Sequence, residues 1–258
     1  MTDWNAERYH QLSSPQQAWG QRVLERLQLS GAEHVLDLGC GTGHVTREIH
    51  DRVPRGRVVG ADRSNAMIES AAAWLREHAP RVAVVRADGA ALPFRRVFDA
   101  VFSGATFHWI LDHGALFRSI ITALRPGGRL VAQCGGAGNI SLLRARADRL
   151  RASPRFASYF EEWTEPWYFA DVEATERRLT AAGFVDANVW LEPAPTTFEG
   201  ADAFREFVAN VCVRHHLDRL PPTGQKQFLT ELTLAAAEDV PAFTLQYWRL
   251  NIDARRPL

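Results

Sequence analysis

Residues 35–44 read Val35-Leu36-Asp37-Leu38-Gly39-Cys40-Gly41-Thr42-Gly43-His44, and this run decides the fold of the chain. A short apolar stretch, typical of a buried strand, passes into three glycines at alternate positions and then into a predicted helix. Glycine at such a turn lets the backbone bend sharply and lets a ligand approach the main chain closely. The run therefore predicts a strand, a tight loop and a helix, although turns of this kind also occur without a ligand.

Strands and helices alternate outward from this loop. Short apolar runs predict strands, and amphipathic stretches between them predict helices. The predicted strands are 34–38, 57–60, 82–85, 98–102 and 129–133, and the predicted helices are 45–53, 65–78 and 115–124. Near-continuous apolar strands that alternate with helices are typical of a parallel sheet covered on both faces. Pro126-Gly127-Gly128 ends the last of these helices and leads into the fifth strand.

The pattern changes after Gly136. Helices are predicted over 140–152 and 171–182, the second with Asp171 as its cap and Gly183 as its stop. A strand is predicted over 188–191, then a helical block over 201–238 that breaks at Pro221-Pro222, and a final strand over 243–250. We interpret the chain as one α/β domain with helices inserted between its last two strands.

The spacing of the glycine loop bears on the ligand. A dinucleotide fingerprint reads G-x-G-x-x-G and places a pyrophosphate at the start of the helix. This chain instead reads G-x-G-x-G, and Asp37 precedes it on the strand. A carboxylate there would repel a pyrophosphate, but it suits a ligand that carries an ammonium group and a sulfonium. The loop therefore favours S-adenosylmethionine over a nicotinamide dinucleotide.

Two further strand tips support this prediction, because ligands bind at the carboxyl ends of strands in open α/β sheets. Asp62 ends the second strand, where a carboxylate can accept hydrogen bonds from both ribose hydroxyls; it could instead cap the helix that follows. Met67, on the first turn of that helix, can pack on adenine or belong to the core. After the third strand, Asp88 can accept from the adenine amino group, and the backbone N–H of Gly89 can donate to a ring nitrogen.

These motifs resemble those of class I S-adenosylmethionine-dependent methyltransferases, over roughly the first 135 residues. The resemblance implies a Rossmann-like seven-stranded, mostly parallel sheet with helices on both faces and an antiparallel last strand. It implies N-terminal cofactor-covering helices over 1–30, a cofactor-binding core over 31–136, and the remaining sheet over 137–258 with a helical substrate cap at about 198–240. The predicted cofactor-binding residues are Tyr9, Ser13, Asp37, Gly39, Cys40, Gly41, Gly43, Asp62, Arg63, Met67, Asp88, Gly89 and Ser103.

Two short motifs are similar to the trans-aconitate and juvenile-hormone-acid methyltransferase group, which methylates carboxylates. One is Tyr9-x-x-x-Ser13-x-x-Gln16, and the other is Phe107-His108-Trp109 after the fourth strand. The resemblance implies that Tyr9 and Ser13 lie over the methionine end of the cofactor, and that Gln16 and Trp109 hold the substrate carboxylate. A carboxylate is already a nucleophile at pH 7, so it needs positioning rather than a general base.

Other functions stay open at this point. His108 could act as a base if the acceptor is a hydroxyl or an amine, or it could only line the pocket. A set of aromatic residues is either core or a substrate lid, and taken together it suggests an acceptor that is apolar in part: Trp163, Trp167, Tyr168, Phe169, Phe204, Phe207, Tyr247 and Trp248. Cys212 with His215 or His216 gives only a weak indication of a metal, and we predict none. The rivals from other classes are a nicotinamide-dependent oxidoreductase and a non-catalytic cofactor-binding protein.

Composition limits the partners. Thirty basic residues balance thirty acidic ones, and Lys226 is the only lysine, which disfavours a nucleic-acid partner. Three cysteines are too few for a disulfide framework and fit a reducing compartment. No signal peptide precedes the first strand, and no apolar run reaches the roughly 18 residues of a membrane span. We expect a cytoplasmic enzyme that acts on a small molecule, with no membrane partner; the oligomeric state is left open.

Overall fold

The computed structural model describes the backbone of residues 14–258 and the side chains of residues 20–258, and its strands form two sheets. The strands are β1 (His34–Leu38), β2 (Arg57–Asp62), β3 (Val82–Arg86), β4 (Phe98–Gly104), β5 (Leu124–Gly135), β6 (Val185–Pro193), β7 (Thr196–Thr197), β8 (Thr244–Leu245) and β9 (Trp248–Arg255). The main sheet has seven strands in the order β3-β2-β1-β4-β5-β9-β6, and β7 pairs with β8 separately. Strands β1 to β5 are parallel, whereas β9 runs antiparallel to both of its neighbours, which confirms the predicted topology.

Helices connect the strands, and capping residues mark the ends of several of these helices. The helices are α1 (Ser14–Arg26), α2 (His44–Arg52), α3 (Asn65–Trp74), α4 (His113–Ala123), α5 (Ser141–Arg151), α6 (Val172–Ala182), α7 (Ala201–Phe207), α8 (Arg214–Leu217) and α9 (Pro222–Ala237). The side chains of Ser64, Asp112 and Asp171 each accept a hydrogen bond from a backbone N–H in the first turn of the following helix. Gly183, at φ +95°, ends α6 in the left-handed conformation, as predicted. No helix among the described residues is long and apolar enough to cross a membrane.

Apolar clusters cover both faces of the main sheet. On one face, side chains of α4 and α6 such as Phe117, Ile120 and Leu179 pack on buried residues of the central strands. On the other face, Val23 and Leu24 of α1 pack with residues of α2, β1 and β2. Burial on both faces explains why the central strands are almost continuously apolar.

A third apolar cluster lies away from the sheet. It joins α5 to the helices between β6 and β9, and it includes the fully buried Phe156, Phe204 and Phe228. Most of the aromatic residues that the sequence left as either lid or core are therefore the core of this helical layer. Between α7 and α8, residues 208–212 form a π-helical turn instead of continuing the predicted α-helix.

The last strand differs from its prediction. Residues 243–250 alternate in hydropathy, but β9 begins only at Trp248 and extends to Arg255. The apolar positions Leu245 and Tyr247 belong to the helical layer, whereas Asn251 and Asp253 of β9 bond to Arg26 of α1 at 2.6 and 3.0 Å. The polar residues of β9 thus have a partner that is distant in sequence, and local periodicity did not reveal it.

Candidate active site

The glycine loop after β1 has three glycines at positive φ, each in a different environment. Gly39, Gly41 and Gly43 have φ values of +78°, +53° and +91°. A Cβ atom on Gly39 would overlap the side chain of Thr106, and one on Gly43 would lie 2.8 Å from Leu75. A Cβ on Gly41 would meet nothing within 4 Å among the described residues. Two glycines therefore allow close packing of the protein on itself, whereas Gly41 faces space that the described residues leave open at the tips of the strands.

Asp62 ties this loop to the tip of β2. One carboxylate oxygen accepts a hydrogen bond from the backbone N–H of Gly41 at 3.0 Å, and the other accepts from the N–H of Ser64 at 2.9 Å. Burial raises the pKa of Asp62 above its usual value, although these backbone donors oppose the shift. Each carboxylate oxygen has a second lone pair, so the group can still accept from a ligand hydroxyl.

Asp37 lies beneath the loop rather than on its open side. Its side chain is 1% exposed and accepts a hydrogen bond from the hydroxyl of Thr46 at 2.6 Å. Burial raises the pKa of Asp37 to about 7, and the negative charge of Asp62 acts in the same direction. A cation bound above the loop would favour the ionised carboxylate through space, without direct contact.

Three other predicted cofactor residues have structural partners. Ser103 is buried at the end of β4 and donates a hydrogen bond to the carbonyl of Leu38 at 2.7 Å. Cys40 is buried against Gly60, where a Cβ would lie 3.0 Å from the thiol sulfur, and burial raises the pKa of that thiol. Met67 is 4% exposed at the start of α3. These residues shape the site from below.

The residues at the tips of β2 and β3 lie closer to the surface. Asp88 is exposed, and its carboxylate accepts from the N–H of Ala90 at 2.9 Å. Gly89 is buried, and a Cβ there would lie 2.8 Å from Ile110. Arg63 is exposed, and its carbonyl accepts a hydrogen bond from Arg86 at 3.1 Å. Asp88 thus caps a turn in this structure and keeps lone pairs available for a ligand donor.

His108 and Trp109 follow β4, at the same edge of the sheet. The N–H of Gly135 donates to Nδ1 of His108 at 3.3 Å, and the imidazole stacks on Phe169 with ring centroids 5.7 Å apart. Burial lowers the pKa of His108 to about 3, and the positive charge of Arg249 contributes. Because Nδ1 accepts this bond, the proton of the neutral ring lies on Nε2. His108 is therefore a hydrogen-bond donor at neutral pH and lacks the free lone pair that a general base needs.

Trp109 lies in an aromatic group that links the sheet edge to the helical layer. Its ring contacts Trp167 edge to face, with centroids 5.8 Å apart, and lies 5.5 Å from the ring of His215. Tyr9 and Ser13 lie outside the described residues. Gln16 lies in α1, but its side chain is also outside them. The structure thus brings the predicted loop, Asp62, His108 and Trp109 to one edge of the sheet.

Sequence reasoning missed several residues that this edge depends on. Thr46 binds Asp37, Thr106 packs against Gly39, and buried Arg249 lowers the pKa of His108 through its charge. No motif marks them, because their roles depend on contacts between distant strands and loops. Among the described residues no group of three or more potential ligands could hold a metal ion. His216 instead packs between aromatic rings, 4.3 Å from Trp163.

The residues present fit S-adenosylmethionine. The described residues leave the space beside Gly41 open, so a ligand can approach the main chain there. Asp62 is placed to accept from a diol, and the buried carboxylate of Asp37 complements a positive charge. These three features also argue against a pyrophosphate, which two neighbouring carboxylates would repel.

Comparison with known proteins supports this reading. Residues 35–128 match the model of a methyltransferase domain family. The chain is 30% identical over 261 residues to a trans-aconitate 2-methyltransferase of Shigella flexneri, covering 99% of both proteins. It is 29% identical over 253 residues to a protein of the same name from Variovorax paradoxus, covering 95% of this chain and 93% of that one.

Solved structures show the same fold. Phosphoethanolamine N-methyltransferase 2 of Haemonchus contortus, in complex with S-adenosyl-L-methionine, superposes with a TM-score of 0.63 at 20% identity. The alignment covers 98% of this chain and 57% of that one. The YcgJ protein of Bacillus subtilis gives a TM-score of 0.66 at 15% identity, covering 94% and 99%. The full-length relatives, the glycine loop and the sheet topology all indicate the same family. The chain belongs to the class I S-adenosylmethionine-dependent methyltransferases, in the trans-aconitate methyltransferase-like group.

Proposed function

We propose that this enzyme methylates a carboxylate oxygen of a small-molecule acceptor. The observation that carries the proposal is the state of His108, whose Nδ1 accepts from Gly135 and whose pKa is lowered to about 3. The only histidine that the sequence offered as a base next to Trp109 is thus a neutral donor. Two neutral donors at this position suit an acceptor that is already ionised. The names of the full-length relatives agree with this acceptor class.

The cofactor, when bound, supplies an electrophilic methyl group on a positively charged sulfur. A carboxylate oxygen aligned with the methyl group would accept it, and the electron pair of the broken carbon–sulfur bond would remain on the sulfur. The protein then has to bind the two reactants, align them and exclude water. Correct orientation alone can lower the activation free energy by roughly 7–11 kcal/mol. No proton has to be removed from the acceptor at any point.

We assign the following roles to the residues at the strand tips. The loop from Gly39 to Gly43, with Asp62, holds the cofactor, and Asp88 with Gly89 holds its base. Asp37 complements the positive charge from beneath the loop. Nε2–H of His108 and the indole N–H of Trp109 orient the acceptor carboxylate, and neutral donors do so without quenching its negative charge as a tight arginine pair would.

The N-terminal region completes the site in this proposal. Tyr9 and Ser13 cover the methionine end of the cofactor, and Gln16 donates to the acceptor carboxylate. Residues 1–30 then cover the cofactor, 31–136 bind it, and the cap at about 198–240 closes over the acceptor. The resemblance to the carboxylate-methylating group supports these assignments.

A panel of acceptors tests the proposal. The purified enzyme is incubated with S-adenosylmethionine labelled in its methyl group and with matched carboxylic acids, phenols and amines. We expect label in methyl esters only, which mild alkali releases as methanol. Trp109→Phe keeps an aromatic ring but removes the indole N–H, so it should lower kcat/KM for acids more than it lowers cofactor affinity. Transfer to phenols or amines in preference to acids would overturn the proposal.

A further inference from the structure

The short turn that presents His108 and Trp109 has little support of its own. It is a single turn of 3₁₀ helix, Phe107–Trp109, and we name it the donor turn. Such a turn contains few backbone hydrogen bonds, and one of them joins the N–H of Trp109 to the carbonyl of Thr106 at 2.9 Å. Just before it, Ala105 has a φ of +56°, which residues other than glycine rarely adopt. The orientation of the donor turn therefore depends on contacts with the rest of the chain.

His113, the first residue of α4, connects the donor turn to that helix. The residue is 2% exposed, and its Nε2 lies 3.0 Å from the carbonyl oxygen of Phe107. Because a carbonyl oxygen can only accept, Nε2 carries the ring proton and donates it. The same carbonyl accepts from the N–H of Ile110 at 2.9 Å, so His113 occupies its second lone pair. Without His113, the carbonyl would keep one partner and lose its link to α4.

The imidazole of His113 is a neutral donor inside the protein. Burial lowers its pKa and the positive charge of Arg178 acts in the same direction, although the bond to Phe107 opposes them. Its Nδ1 has no hydrogen-bond partner among the described residues, so a second ring proton would have no acceptor there. His108 is partly exposed, whereas His113 is buried. His113 therefore supports the site from within and is not placed to act on an acceptor.

Tyr168 binds the next carbonyl of the same turn. Its backbone N–H donates to the carbonyl of His108 at 2.8 Å. Its ring packs edge to face on His113 with centroids 5.1 Å apart, and its hydroxyl accepts from Arg178 of α6 at 3.0 Å. Two consecutive carbonyls of the donor turn, those of Phe107 and His108, are thus bound by α4 and by the segment before α6.

We propose that His113 is a positioning residue that sets the orientation of the two donors, Nε2–H of His108 and the indole N–H of Trp109. The inference rests on the proposed function, because the orientation of these donors matters only if they bind the acceptor. His113 acts through the carbonyl of Phe107, one residue before His108. A displacement of about 1 Å at a reacting group can lower a rate by up to about a hundredfold, so a single hydrogen bond behind the turn is enough to affect turnover.

Two variants separate this hydrogen bond from the packing of the ring. His113→Phe keeps an aromatic ring and removes the donor. His113→Gln removes the ring but carries an amide N–H as many bonds from Cα as Nε2 of histidine. For the acids that the enzyme methylates, we expect His113→Phe to lower kcat/KM by about ten- to a hundredfold and His113→Gln to recover most of that loss. The affinity of both variants for S-adenosylhomocysteine, measured by calorimetry, should stay near that of the wild type.

A double-mutant cycle shows whether His113 acts through the donor turn. In a variant that carries both His108→Phe and Trp109→Phe the donors are absent, so adding His113→Phe should lower kcat/KM by less than about twofold. A purely structural role would cost the same factor in both backgrounds. His50→Phe is the matched control, because this buried histidine of α2 contacts the ring of His78 instead of the donor turn. All rates are divided by the folded fraction, which a denaturant titration gives.

The outcomes separate this inference from the proposed function. If no acid is methylated while phenols or amines are, the proposed function fails and the inference fails with it. If acids are methylated and His113→Phe is as active as the wild type, or His113→Gln is no better than His113→Phe, only the positioning role fails. An equal loss in the two backgrounds would also overturn that role and leave His113 as a residue of the core.

Discussion

The Asp62 carboxylate connects two strand tips, since it accepts a hydrogen bond from the backbone N–H of Gly41 at 3.0 Å. Its other oxygen bonds the N–H of Ser64, at the start of α3. One side chain therefore fixes the glycine loop relative to β2, in addition to its proposed role in holding the ribose. The two strand tips of the proposed cofactor site are thus held together by one side chain.

Asp62→Ala should weaken binding of S-adenosylhomocysteine by at least about tenfold, because hydrogen bonds to a charged group contribute roughly 1.5–3 kcal/mol. The measurement is a calorimetric titration of the purified variant. Ser64→Ala is the control: it removes the hydroxyl that caps α3 through Met67 but keeps the backbone N–H that Asp62 uses. It should cost about 1 kcal/mol of stability and leave the affinity near that of the wild type. Unchanged affinity in Asp62→Ala would contradict the assignment.

The glycines of the loop should respond differently to alanine. Gly39→Ala places a methyl group on Thr106 at positive φ, so we expect a loss of about 2–5 kcal/mol in the free energy of unfolding. Gly41→Ala meets no neighbouring atom, so only the backbone cost of about 1–2 kcal/mol should appear, together with a clear loss of cofactor affinity.

Denaturant titrations with and without S-adenosylhomocysteine separate these two effects. Adding Thr106→Ala to Gly39→Ala should recover part of the lost stability, because it removes the side chain that the new methyl group meets. If Gly41→Ala bound the cofactor as tightly as the wild type, the open space beside Gly41 would not be the ligand site.

Asp37→Asn should separate stability from function. The pKa of Asp37 is raised to about 7 in the folded chain, so its contribution to stability is fully present below about pH 4 and is lost as the pH rises to 7. An uncharged asparagine avoids that loss. In the absence of ligand, the melting temperature of the variant relative to the wild type should therefore rise between pH 4 and pH 7, while cofactor affinity at pH 8 should fall. A relative melting temperature that is flat over this range would show that Asp37 titrates normally.

The pH profile of kcat/KM tests the role of His108. With its pKa lowered to about 3, His108 stays neutral across the working range, so at saturating S-adenosylmethionine it should contribute no limb between pH 6 and 8. His108→Phe should reduce turnover because it removes the Nε2–H donor, and it should leave the shape of the profile unchanged. A limb near pH 6.5 that disappears in His108→Phe would identify His108 as a general base instead.

Much of the fold was predictable because it depends on short-range patterns. The central strands are apolar runs that the sheet buries on both faces, and the caps at Ser64, Asp112 and Asp171 act within three residues. The predicted bounds of α3 and α5 differ from the observed ones only at their ends. The glycine loop could be identified because its spacing is local and its conformation admits few other residues.

The remainder depends on contacts that no local pattern carries. The tautomer of His108 is fixed by Gly135, and the pKa of Asp37 is raised by burial while the hydrogen bond from Thr46 opposes that shift. The bounds of β9 follow from its pairing with β5 and β6, and its polar side chains bond Arg26, more than 220 residues away along the chain. Each of these outcomes depends on which strands become neighbours, and the pairing of strands cannot be derived from a single sequence.

The segment between β6 and β9 leaves and rejoins the main sheet at adjacent points. There the backbone N–H of Ala194 donates to the carbonyl of Tyr247 at 2.8 Å. Pro193 of β6 and Trp248 of β9 are paired residues on adjacent strands, so the two ends of the intervening segment lie side by side. If this segment closes over the acceptor as proposed, its exchange between relatives would change the acceptor range and leave the strand tips at the proposed cofactor site as they are.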